Sequence, residues 1–67
     1  MEKLAGDLNY AFYQTMDEVL ELVVTHCERA RDADSDQSME LNIKMASRAM
    51  RCALQILLVR KTEEENG

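Results

Sequence analysis

The sequence predicts an all-α fold, an antiparallel two-helix hairpin, and three observations predict it. The chain of 67 residues has no proline, and Gly6 and Gly67 are its only glycines, so nothing punctuates it as β-hairpins require. Met, Leu, Ala, Glu, Arg and Gln are abundant, and all are good helix formers. Two apolar-periodic segments of similar length flank one polar break, Asp32-Ala33-Asp34-Ser35-Asp36. Helices of equal length joined by a short turn lie antiparallel.

The first helix is expected over about 7–32, with Asp7 as its cap and Gly6 just outside. At 100° per residue Leu8, Phe12, Met16, Val19, Leu20, Val23, Cys27 and Ala30 share one face. Tyr10 and Tyr13 sit at its margin, and a mostly acidic face lies opposite. The turn is expected at about 33–36, because Asp and Ser compete for helical hydrogen bonds and favour caps. Asp34 with Gln37 has the form of a capping box, and Asp36 is a second candidate cap. The second helix follows over about 37–61, with Arg60 and Lys61 suiting its C-terminal dipole. The whole chain, 1–67, reads as one domain with flexible ends at about 1–6 and 62–67.

The second helix carries more apolar surface than one partner helix covers. Met39, Ile43, Ala46, Met50, Ala53, Leu54 and Leu57 form one stripe, and Leu41, Met45, Ala49, Cys52, Ile56 and Val59 form another beside it. A surface helix needs an apolar arc of only about 100°. One stripe is therefore expected to meet helix 1 and the other to meet something else. Met39, Ile43, Ala46, Met50, Ala53 and Leu57 are the expected partner contacts, with the second stripe turned to helix 1, although the pattern is compatible with the reverse. The hairpin would be completed by a partner protein or by homodimerisation into a four-helix bundle. Chains this short rarely build a sufficient core alone.

Net charge is −5 and uneven. Residues 1–36 hold nine acids against Lys3, Arg29 and Arg31, whereas 37–67 hold five bases against four acids. An acidic chain suits neither nucleic acid nor an anionic membrane unless its bases cluster. Lys44, Arg48 and Arg51 do fall at i, i+4, i+7, but the net charge favours a solvated face over a phosphate-binding stripe. Phe12 is expected in the core with the tyrosines at its edge, rather than stacking on bases. No apolar run has the length of a membrane span, and the first residues lack a signal-peptide h-region. The expected location is cytoplasmic.

Chemistry is not expected. His26 is the sole histidine, and its neighbours Cys27 and Glu28 point in other directions on a helix, so His26, Cys27 and Cys52 make a poor zinc or redox set. No nucleophile stands in a strand–turn–helix or glycine-rich context. In a hairpin turning near Asp34, facing residues have numbers summing to about 68. Cys27 then faces Leu41 and Cys52 faces Met16, so no intrachain disulfide forms. Both are expected as reduced, mostly buried thiols. No cofactor or metal is expected, and the chain reads as a non-enzymatic interaction module.

The pattern Asn42-x6-Ala49-Met50-x2-Ala53-x2-Ile56-Leu57, opened by Asp36-Gln37, resembles the second helix of the small co-chaperones of type III secretion needles. The resemblance covers Asp36 to Val59. It implies a cytoplasmic hairpin that pairs with a tetratricopeptide-like chaperone, the two together keeping a secreted needle subunit soluble. A second resemblance is architectural. Asp32-Ala33-Asp34 and the acidic Glu63-Glu64-Glu65-Asn66 are similar to the turn and tail of the plasmid repressor-of-primer proteins. That family implies a homodimeric four-helix bundle binding paired RNA loops through helix 1, where this chain carries acids.

Overall fold

A computed structural model describes residues 2–66, with side chains described from Asn9 onward. Two helices, α1 (Glu2–Arg31) and α2 (Asp36–Asn66), form an antiparallel hairpin, with no strand among the described residues. The Cα envelope measures 52 × 20 × 10 Å. The molecule is thus a slab a single helix thick.

Both helices outrun their expected ends. α1 starts at Glu2 and passes through Gly6 and Asp7. A lone glycine costs a helix only about 1 kcal/mol relative to alanine, too little to stop a periodic segment. α2 continues through the polar 62–66 to Asn66. Arg60 pairs with Glu64 at 3.1 Å, and the Thr62 hydroxyl donates to the Leu58 carbonyl at 2.9 Å. These i, i+4 bonds carry the helix beyond its apolar stripe. The expected flexible ends are therefore helical over 2–6 and 62–66, while Met1 and Gly67 lie outside the described residues.

The reversal is made without glycine. Among the described residues none takes a positive φ. The Ala33 amide donates to the Ala30 carbonyl at 3.3 Å, tightening the last turn of α1. The cap of α2 is Ser35, not Asp34 or Asp36: its Oγ accepts from the Ser38 amide at 3.1 Å. Asp36 instead occupies the first turn, where its charge complements the dipole. Arg31 forks onto Asp32 at 3.1 and 3.2 Å. That hydrogen-bonded pair holds the Asp32 carboxyl below its usual range and pushes the Arg31 guanidinium up.

The seam between the helices is drawn by the buried and half-buried side chains. On α1 these include Phe12, Met16, Val19, Val23, His26 and Ala30; on α2, Asn42, Ala46, Ala49, Ala53, Ile56 and Arg60. Among the described residues only Ala30, Ala46 and Ala53 fall to 5–7% exposure, and no large side chain is fully buried. The hairpin closes through small residues that let the two backbones approach. Leu20 and Cys27, grouped by period with the buried face of α1, stand exposed at its edge.

The seam does not follow either expected stripe of α2. It runs along the line between them, taking Ala46 and Ala53 from one and Ala49 and Ile56 from the other. The large residues of both stripes are left on the two flanks. Of the stripe expected to face α1, Leu41, Met45, Cys52 and Val59 are exposed. Alanine decides this geometry, because the narrowest ridge allows the closest interhelical contact.

Candidate partner-binding face

The flank bearing Met50 is a shallow apolar trough on one broad side of the slab. Its floor is Ala30, Ala46 and Ala53, its α1 wall includes Met16, Val23 and Cys27, and its α2 wall carries Ile43, Met50, Leu54 and Leu57. Helical spacing builds it. Ile43, Met50, Leu54 and Leu57 recur at i, i+7, i+11, i+14, one angular step beyond the alanines. Ile43, Met50 and Leu54 are all more than half exposed. Arg51 and Ser47 rim the trough on the α2 side.

Of the six residues expected as partner contacts, Ile43, Ala46, Met50, Ala53 and Leu57 line this trough. Met39 is exposed at the turn end of the same helix face. Ala46 and Ala53 are the buried floor against α1, so their reach toward a partner is through the floor alone. Leu54, Met16, Val23 and Cys27 were not among the expected contacts. The residues of α1 were missed because a helix wheel treats each helix alone, whereas the trough is shared by two. The opposite side of the slab is apolar as well, exposing Leu22, Leu41, Met45 and Val59.

Two polar clusters hold the hairpin together. Asn42 donates its amide N–H to the Ser38 carbonyl at 2.9 Å, leaving Oδ1 to accept from His26 Nδ1–H at 3.3 Å. At the open end Arg60 donates to Asn9 Oδ1 at 2.6 Å and to Glu64 at 3.1 Å. Its guanidinium lies 4.0 Å from the Phe12 ring centroid and 5.1 Å from that of Tyr13. The two rings meet edge to face at 5.2 Å. Sequence reading assigned Arg60 only to the helix dipole; the signal for its place in the seam was its i+4, i+7 spacing from Ile56 and Ala53. Tyr10 and Tyr13 are exposed, while Phe12 is half-buried beneath Arg60.

The remaining candidates are dispersed. Cys27 and Cys52 are free and both exposed, not buried as expected, because the flanks rather than the seam carry them. His26 is committed to Asn42. Among the described residues no three of His, Cys, Asp and Glu gather as a metal site. Lys44, Arg48 and Arg51 line the outer edge of α2 with Ile43, and Lys44 pairs with Glu40 at 3.2 Å. No helix among the described residues is long and apolar enough to cross a membrane. Comparisons with protein-family models, with curated proteins and with solved structures find no match for this chain.

Proposed function

We propose that this chain is a non-enzymatic protein-interaction module that works as one half of a larger helical assembly. The observation that supports the reading is the mismatch between core and surface. Among the described residues the buried core is three alanines, while Ile43, Met50, Leu54 and Leu57 stand open along a single trough. Such an apolar stripe is a docking surface for another helix rather than a solvated face. The methionines suit this role, since their flexible side chains fill an irregular partner surface.

The resemblance of Asp36–Val59 to the needle co-chaperones gives the reading a definite form. The module would seat its Met39–Leu57 face on a tetratricopeptide-like chaperone in the cytoplasm, and the pair would keep a secreted needle subunit soluble. The second reading is a homodimeric four-helix bundle, favoured by the acids Glu18, Glu21 and Glu28 on the outer face of α1 and the bases Lys44, Arg48 and Arg51 on that of α2.

Substituting Met50 tests the docking face. M50E places a charge in the trough without touching the seam, so helicity by circular dichroism is expected to persist. Binding to a tetratricopeptide-type needle chaperone, followed by calorimetry, is expected to weaken at least about 100-fold, since a centrally buried anchor is worth roughly 2 kcal/mol or more and the new charge is left unpaired. A complex of unchanged affinity with M50E removes this face from the function.

A further inference from the structure

We propose that the Met50 trough is covered by a second copy of this chain, related by a two-fold axis parallel to the helices. α1 of each copy then lies against α2 of the other, and both turns sit at the same end of a four-helix bundle. The inference rests on the reading of this trough as a docking surface and develops the second, homodimeric reading, with a like copy in place of the chaperone.

Area is the first argument. The hairpin exposes 5782 Å². A compact monomer of 7.7 kDa would expose about 4,300 Å² by the usual surface–mass scaling. The excess, about 1,500 Å², exceeds the roughly 800 Å² per partner that a stable interface removes. Burying one broad side of the slab in a like copy would bring the pair toward ordinary proportions.

Charge is the second argument, and it selects the arrangement. The outer edge of α1 carries Glu21 and Glu28, seven residues apart, and the outer edge of α2 carries Lys44 and Arg51 at the same spacing. The hairpin's own register is set by Arg60 over Phe12 and His26 against Asn42. In that register Glu21 stands within about one turn of Arg51, and Glu28 stands beside the Glu40–Lys44 turn, within about one turn of Lys44. Within one copy they lie on opposite edges of the slab and do not pair. A two-fold axis along the helices preserves height and exchanges edges, which brings Glu21 and Glu28 to the same side as Arg51 and Lys44 of the other copy, within about one turn of them. A two-fold axis across the helices would stack α1 on α1 and set acids beside acids, an arrangement that like-charge repulsion disfavours. Arg51 has no ion pair among the described residues. The Lys44–Glu40 pair is an exposed surface contact, weak enough to be shared.

The test is the mass and geometry of the 67-residue chain in solution. Light scattering at about 100 µM is expected to give a dimer, a concentration at which interfaces of this size are populated. A spin label on D34C, in a C27S/C52S background, reads the separation of the two turns. Turns at the same end give roughly 15–30 Å, set by interaxial spacing near 10 Å plus the label arms. Turns at opposite ends give about 45 Å or more, the length of a 30-residue helix. E21K/E28K is expected to raise the dimer dissociation constant about tenfold or more, and adding K44E/R51E to the same chain is expected to restore it. A dimer with the long separation overturns the arrangement, and so does failure of the charge swap to restore assembly. A monomer at 100 µM overturns the second copy itself. It leaves the docking reading standing, because that reading fails separately, on unchanged chaperone binding by M50E.

Discussion

Two side chains do more than their composition class suggests. Arg60 closes the open end by covering Phe12, bonding Asn9 and pairing with Glu64 in a single geometry. R60A is expected to destabilise the hairpin by about 1–2 kcal/mol in urea unfolding, from lost cation–π contact, lost hydrogen bonds and lost packing of its stem. R60K is expected to recover less than half, because an ammonium cannot reproduce the planar fork. Ala53 is the contrasting case: its value lies in being small. A53L is expected to cost roughly 1–3 kcal/mol by forcing the helices apart at a tight contact. M50A, on the open flank, is expected to change the stability of the isolated hairpin by less than about 0.5 kcal/mol.

At the scale of the helices, the turn and caps determine where each element begins and ends. S35A removes the hydroxyl that accepts from the Ser38 amide, and is expected to lower stability by about 1 kcal/mol with fraying confined to the first turn of α2. Amide exchange at Ser38 and Met39 would locate the effect. The existence of both helices was legible in the sequence, from the absence of proline and the single Asp/Ser-rich break. Their ends were not, because bonds such as Arg60–Glu64 and Thr62–Leu58 extend a helix without any apolar signal. The seam of α2 was legible only as a choice between two stripes. Its true line, through Ala46, Ala49 and Ala53, falls between them, since alanine counts as apolar on a wheel without showing whether it is buried for its greasiness or its size. Residues 43, 50 and 57 were legible as one apolar stripe, and the structure leaves them exposed; what α1 adds to that surface was not legible.

At the scale of the molecule, the slab has no interior deeper than one layer of side chains among the described residues. A partner that covered either broad side would add to its stability. The midpoint of thermal unfolding is expected to rise with protein concentration from 5 to 500 µM if assembly buries the trough, because mass action favours the associated state. A midpoint independent of concentration over that range would mean the hairpin holds together unassisted. The exposed Leu22, Leu41, Met45 and Val59 leave the other broad side available at the same time.

The two free thiols take on a use from where they stand. Cys27 lines the trough with Met50, while Cys52, two residues on from Met50 and turned across α2, stands on the opposite flank. Each side of the slab therefore carries its own chemical reporter. Alkylation kinetics on the unmodified chain, resolved by peptide mass, would footprint both sides in one experiment. Slowing at Cys27 alone identifies a ligand in the trough, slowing at Cys52 alone identifies one on the back, and slowing at both describes a hairpin enclosed between two neighbours.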